Sequence, residues 1–310
     1  MKGNILDILK RQKGIVSGAY LSDNLGISRV SIWKHINKLR ELGYTIESTS
    51  GGYDFQPSPD FLYPWEFPGR EERIHFYQET ASTMDRAREL ARQGCPGFTT
   101  VIAETQSKGR GRLKRSWLSE KGGLYFTVVL RPDMSPILSY RVNFAASLVL
   151  ARLLRNMFSI DAGVKWPNDI LVDDYKLSGM LSEMEAEGDI VSFINIGIGL
   201  NVNNDPSPKE QKATSIRKLT GKTSDRREIL SLFLDGLEGT LTPGSSDYMG
   251  MERIVDEWKK YTVTLGREVT VATHGETFHG TAVDVDETGA LVITETSGAI
   301  RKIVYGDCFH

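Results

Sequence analysis

Residues 106–117, QSKGRGRLKRSW, place Lys108, Arg110, Arg112, Lys114 and Arg115 within eight positions, with Gly109 and Gly111 among them. Glycine lets backbone N–H groups come close to a ligand, and an arginine fork meets a phosphate with two parallel hydrogen bonds. Phosphate binding is one reading of this loop; a solvated run of charge is the other. A second dense segment, GVKWPNDILVDDYKLSGMLSEM at 163–184, carries Lys165, Trp166, Asn168, Asp169 and Lys176, with Pro167 fixing a turn. A strand, a turn presenting an amide and a carboxylate, and a second strand returning a lysine suit a nucleotide and its metal. The same residues also make an ordinary Pro-Asn-Asp turn beside a solvated lysine.

Standard phosphate and metal motifs are absent. Gly221-Lys222-Thr223 ends like a Walker A loop, but Ile216 stands where its first glycine belongs. Gly109-Arg110-Gly111 lacks the third glycine of a dinucleotide fingerprint. Cys95 and Cys308 match no CxxC spacing, and His274 and His279 have no further His or Cys near them in sequence, so no metal-binding residues are assigned.

The elements that must position these groups are strands and helices in mixture. RIHFYQ, TTVIAET, GLYFTVVL and IVSFINIGIGL read as strands. Ser82 is placed to cap a helix through the S-x-x-D pattern ending at Asp85, with Gly94 closing it, and another helix is expected over Tyr140 to Phe158. The fold class is α+β with a mixed sheet. From about Leu265, REVTVAT, ETFHGTAVDV, ALVITE and AIRKIVYG suit a small antiparallel barrel.

The first 60 residues read differently. Ile5, Leu6, Ile8 and Leu9 mark a short amphipathic helix; Ser17 caps a second that stops at Gly26, and Ser28 caps a third. Two helices so close together predict a helix-turn-helix, and YTIES and GYDF around Ser50-Gly51-Gly52 predict its wing. Ile32, Ile36 and Leu39 face inward, leaving a polar, basic face with Ser28, Arg29, Ser31, Lys34, Asn37 and Lys38 as the candidate DNA contacts. A three-helix protein-interaction module is the competing reading. Eight cations against six acids over residues 1–60 make a net charge of +2. So small an excess binds DNA weakly as a monomer, which predicts a dimer on two half-sites. Four prolines within residues 56–69 predict a stiff linker.

The chain has 310 residues, 38 Lys and Arg against 40 Asp and Glu, and 40% hydrophobic residues, the profile of a multi-domain globular protein. The longest apolar stretch, VNFAASLVLARLL, is interrupted by Asn143, Ser147 and Arg152 and reads as a buried helix. No secretory signal is recognisable at the N-terminus, so a reduced cytoplasmic protein without membrane contact is expected.

Taken together, Ser82-Thr83, Gln106, GRGR at 109–112, Trp117, KWPND at 165–169, KLSGML from Lys176 and GIGLNVN at 197–203 resemble the bifunctional biotin protein ligase and biotin operon repressor family of bacteria. The front segment ISRVSIWKHINKLRELGY adds to a match that covers nearly the whole chain. The resemblance implies a winged helix-turn-helix over residues 1–62, a catalytic domain like the class II synthetases and biotin-lipoate ligases over 63–264, and an SH3-like barrel over 265–310. It implies that biotin's carboxylate attacks the α-phosphate of ATP, with Mg²⁺ assisting, and that biotinyl-AMP then acylates a lysine of a biotin carboxyl-carrier protein. Carried over by position, Ser82, Thr83, Gln106, Arg110, Gly111, Arg112 and Lys176 surround biotin, with Met84 as a wall. Trp117, Lys165, Asn168 and Asn201 hold the nucleotide. Arg110, Arg112 and Lys176 offset charge at the reacting oxygens, and Asp169 serves as base or metal contact. A homodimer favoured by biotinyl-AMP would bind operator DNA of biotin genes. Two departures stand out: Met84 where members often have asparagine, and Leu113-Lys114 where they often have Arg-Gly. A lipoate ligase, or a transcription factor that only senses a small anion, are the alternative readings.

Overall fold

The computed structural model describes residues 1–57, 59–250 and 253–310, with the side chain of Lys114 also outside the description. It divides into two compact units, Met1–Glu71 and Glu72–His310.

In the first unit, α1 (Lys2–Gln12) buries Ile5, Leu6 and Leu9 and leads into β1 (Ile15–Val16). Helix α2 (Gly18–Leu25) begins where Ser17 Oγ accepts from the Tyr20 N–H, and Gly26 ends it at a φ of 64°. Ser28 Oγ then accepts from the Ser31 N–H to start α3 (Arg29–Glu41), whose Ile32, Ile36 and Leu39 are buried. The wing is β2 (Ile46–Thr49) paired with β3 (Gly52–Phe55), and β1 joins β3 on its other side. The proline-rich stretch that follows is ordered by its aromatic residues. Phe61, Tyr63 and Trp65 pack on the unit's core; Tyr63 stacks on Trp65 at 4.9 Å between centroids, and Phe61 lies 4.8 Å from Tyr44. Glu66 accepts hydrogen bonds from Tyr44 Oη and Lys10 Nζ, each at 2.7 Å. Ser58 of this stretch lies outside the described residues.

The second unit is built on a sheet of β4 (Ile74–Thr80), β5 (Thr99–Gln106), β6 (Leu124–Leu130), β7 (Gly163–Lys165), β8 (Asp169–Val172), β9 (Tyr175–Glu187) and β10 (Ile190–Leu200). Their spatial order is β4-β5-β6-β10-β9-β8-β7, with β4 and β5 parallel and the other pairs antiparallel. Helix α4 (Thr83–Arg92) lies on one face, where Thr127 of β6 donates to Thr83 Oγ1 at 2.8 Å. By the two-residue alternation of a strand, Phe126 points to the other face. There it meets Phe233 edge-on at 5.4 Å, on the long helix Arg226–Leu241.

That face is covered by α5 (Tyr140–Phe158), followed in the chain by α6 (Ile216–Thr220), α7 (Arg226–Leu241) and α8 (Ile254–Lys259). Pro136–Phe158 is the one described helical segment long and apolar enough to cross a membrane, but half of it is buried in the protein, as a core helix requires. Gly221 of the GKT run terminates α6 at a φ of 72°, whereas a Walker loop opens a helix.

The remaining strands, β11 (Glu268–Ala272), β12 (Thr277–Val285), β13 (Leu291–Thr294), β14 (Ile300–Ile303) and β15 (Asp307–Phe309), form an antiparallel sheet in the order β14-β13-β12-β11-β15. Strand β15 brings Asp307 back toward the larger sheet.

Candidate functional site

A cavity of about 140 Å³ opens on the α4 side of the large sheet. Of the predicted residues, Ser82, Thr83, Met84, Gln106, Arg110 and Gly111 line it, as do Arg112, Trp117, Asn168, Asp169 and Lys176. Lys165 and Asn201 are not among its lining residues.

Three glycines clear its floor. Gly199 of β10 lies directly opposite Gly179 of β9, and a Cβ at either position would meet the Trp117 indole, at 2.3 and 2.8 Å respectively. A Cβ on Gly197 would lie 2.6 Å from Met84 Sδ. The glycines therefore seat the indole and the thioether flat on the sheet. Sequence reasoning passed over them as site residues, although glycines two apart in a strand share a face.

One wall is a relay of short hydrogen bonds. Gln106 Oε1 accepts from the Thr83 N–H at 2.8 Å and from Thr83 Oγ1 at 3.1 Å, while Gln106 Nε2 donates to Ser119 Oγ at 2.8 Å. Ser82 sits at the N-cap of α4, but the expected side-chain cap is not made. Gln106 satisfies the Thr83 N–H, Asp85 pairs with Arg88 at 2.9 Å, and Ser82 Oγ is left buried without a partner among the described residues.

The basic loop closes the cavity as a small hairpin. Arg110 and Ser116 form an isolated bridge, the Gly111 N–H donates to Arg115 O at 2.8 Å, and the Trp117 N–H donates to Gly109 O at 2.9 Å. Leu113 at its tip holds a left-handed φ of 51°. Carboxylates from distant segments compensate its charges. Arg110 Nη2 lies 2.9 Å from Glu183 of β9 and 3.2 Å from Asp85 of α4. Arg112 donates to Asn168 Oδ1 at 3.1 Å and to Gly306 O at 2.8 Å, and Arg115 pairs with Asp307. Burial pushes the Arg112 guanidinium down from its ordinary pKa, against the pull of Asp307 and Asp169. Among the described side chains, the loop is thus anchored rather than a solvated run of charge.

Lys176 Nζ lies 2.9 Å from Asp169 Oδ1 and 5.4 Å from the centroid of the Trp117 ring. Lys165 Nζ instead lies over Phe309 at 5.8 Å, and burial lowers its pKa. Asn201 is buried, its Oδ1 accepting from Asn204 Nδ2 at 2.9 Å at the end of β10.

Ser82 Oγ, Arg110 Nε and Trp117 Nε1 are buried, line the cavity and have no hydrogen-bond partner among the described residues. A buried unsatisfied group of this kind costs about 1–3 kcal/mol, a cost that a ligand able to accept these hydrogen bonds offsets. Together with Arg112, Lys176 and the indole face, they suit an anion carrying a planar ring.

In the first unit, Arg29 and Lys34 are exposed on α3. Ser28 Oγ and Ser31 Oγ lie 3.0 Å apart at its N-terminus. Lys38 is paired with Glu41 at 2.8 Å, and Asn37 Oδ1 accepts from Arg40 at 3.1 Å. The outward face is not purely polar, as its sequence suggested: Val30 is 63% and Trp33 54% exposed.

Three family models match the chain: the biotin/lipoate A/B protein ligase family over residues 77–201, an HTH domain over 3–54, and the biotin protein ligase C-terminal domain over 264–310. The bifunctional ligase/repressor BirA of Bacillus subtilis is 35% identical over 306 residues, covering 94% of this chain and 93% of the relative. Its Escherichia coli namesake is 28% identical over 302 residues, covering 94% and 91%. Among solved structures, the biotin protein ligase of Aquifex aeolicus in complex with biotin and ATP is similar over 76% of this chain and 97% of its own, at 29% identity and a TM-score of 0.63.

Proposed function

The chain belongs to the bifunctional biotin ligase/repressor family, and from that premise we propose how its residues divide the work. The protein is a biotin protein ligase with biotin and ATP as substrates, and a transcriptional repressor. The observation that carries the site assignment is the set of three unpartnered donors in one cavity with Arg112 and Lys176.

Adenylation brings two anions together, so positive charge must offset their repulsion and the charge gathering on the transferring oxygens. Lys176 and Arg112 supply it. Biotin's carboxylate oxygen bonds to the α-phosphorus as the bond to pyrophosphate breaks. Trp117, seated on Gly179 and Gly199, gives the adenylate a flat contact, while Thr83, Gln106 and Ser82 hold the biotin end. In transfer, the acceptor lysine's nitrogen bonds to the acyl carbon and AMP leaves. Asp169, released from Lys176 as that lysine turns to the phosphates, takes the amine's proton.

The lining fits Mg²⁺ only as an ion that arrives on the triphosphate, the usual way this cation is held. Asp169 is the side chain that would hold it, and the ion would supply further charge neutralisation. The acceptor is a biotin carboxyl-carrier domain. Biotinyl-AMP favours a homodimer that pairs two winged helices on operator DNA, so that acceptor draining the adenylate relieves repression. ATP and DNA as targets put this chemistry in the cytoplasm.

The test is incubation of the full chain with ATP, Mg²⁺, biotin and a purified carboxyl-carrier domain, followed by an avidin blot. Biotinylated acceptor is expected. No transfer, or preference for lipoate in ATP–pyrophosphate exchange, overturns the assignment.

A further inference from the structure

Two apolar side chains stand out on the first unit. Val30 and Trp33, 63% and 54% exposed, lie three residues apart on α3, beside the exposed Arg29 and Lys34. Single exposed apolar residues are ordinary. A valine and a tryptophan side by side on the outer face of a helix whose own core set, Ile32, Ile36 and Leu39, is buried offer a partner an apolar contact.

The surroundings say which. Val30, Trp33 and Arg29 form one side of a concave surface whose other side is the wing, residues 48–53, with Ser17 at its base. Among the described residues of that lining, Arg29 is the one charged residue and none is a carboxylate. An uncharged, hydroxyl-rich surface with a cation at its rim suits a polyanion. Further along α3, Asn37 Oδ1 accepts from Arg40 and Lys38 pairs with Glu41 at the surface. The first half of the helix presents Ser28, Arg29, Val30, Trp33 and Lys34 to solvent. In the major groove, one base edge presents an apolar group, the C5-methyl of thymine.

We propose that Val30 and Trp33 read thymine methyl groups in the major groove, with Arg29 and Lys34 setting the helix against the flanking phosphates. This rests on the repressor reading above, and it makes the operator half-site thymine-dependent at the positions beneath the first half of α3.

The experiment uses the full chain with biotin and ATP. A random-sequence duplex pool is selected for binding, and the enriched duplex is then synthesised with deoxyuridine replacing thymidine one position at a time, which removes only the methyl group. Affinity is expected to fall about fourfold per contacted methyl, and about fifteenfold when both half-sites are changed. Trp33→Ala weakens binding to the thymidine duplex and loses the deoxyuridine penalty at the position its ring covers while keeping the one that Val30 reads, whereas Val30→Thr, which keeps a methyl, retains both. Both side chains are exposed, and an unchanged thermal midpoint confirms that each variant folds. Equal binding of all deoxyuridine duplexes overturns the proposal. So does a Trp33→Ala variant that keeps every one of the wild-type deoxyuridine penalties, or one that self-associates less without DNA, since α3 would then pack on a second copy. If no sequence is enriched at all, the repressor reading falls together with the proposal.

Discussion

Replacing Gly199 by alanine tests how the floor of the cavity works. The added methyl carbon would lie 2.3 Å from both Cε2 and Nε1 of Trp117. Non-bonded carbons settle at about 3.5 Å, so the indole must retreat by about 1.2 Å. Indole is rigid, and the glycine, near the end of β10, is paired with a strand on both sides, so neither partner gives way cheaply. Overpacking of this kind costs about 1–3 kcal/mol, and because it displaces the surface proposed above to receive the adenylate, about 5- to 150-fold should appear in nucleotide affinity. Gly197→Ala is the internal control. Its methyl would lie 2.6 Å from Met84 Sδ, but a thioether on three rotatable bonds swings aside, so its effect should be smaller and fall on biotin. ATP–pyrophosphate exchange with either substrate varied separates the two. A Gly199→Ala enzyme whose KM for ATP stays within about twofold of wild type, or a Gly197→Ala enzyme equally impaired toward ATP, refutes the reasoning.

Lys176→Ala should lower adenylation by about 100-fold or more while leaving the thermal midpoint nearly unchanged, since the lysine is only part-buried; unfolding of the variant would make the residue structural instead. Asp307→Ala releases Arg115 and weakens the hold on Arg112, so rapid-mixing measurements should find faster escape of biotinyl-AMP, and an unaltered escape rate would count against the anchored loop. Residues 72–310 expressed alone should keep acceptor biotinylation and lose operator binding, as gel shift and avidin blot together report. Asp286 gives an acid-stability signature. Burial raises its pKa, but hydrogen bonds from Thr288, Lys302 and the Ala290 N–H outweigh burial and hold it at about 2, below the ordinary 3.8. Its stabilisation is complete above pH 3.8 and is lost as the pH falls through about 2. Asp286→Asn should flatten urea midpoints across that window, and an unchanged slope would rule the contribution out.

What could be read without coordinates was local. Ser17, Gly26 and Ser28 cap and stop their helices as short-range hydrogen bonding dictates, and Tyr140–Phe158 runs between the limits its apolar pattern sets. The chemistry of the cavity was visible as residue types in the GRGR and KWPND segments. Its wiring was not, because the partners lie far apart in the chain: Arg110 meets Glu183, and Arg115 meets Asp307. Strands β1 and β15 have two and three residues, too few to display an alternation. At Ser82 the local pattern pointed to a cap, but Gln106, brought in by the adjacent strand β5, satisfies the Thr83 N–H and leaves the hydroxyl to the cavity. Asn201 and Lys165 are in the neighbourhood the resemblance implied, yet neither lines the cavity, one spent on Asn204 and the other lying over Phe309.

The ion pair of Arg115 with Asp307 joins residues 192 apart, and this sets an order of assembly on the ribosome. The first unit, with its own buried core, is complete once Glu71 has been made, whereas the cavity's last anchor belongs to β15. At about 5–20 residues per second, some 10–50 s separate the two events. Each newly made molecule therefore completes its DNA-binding unit before the cavity of the second unit receives its last anchor.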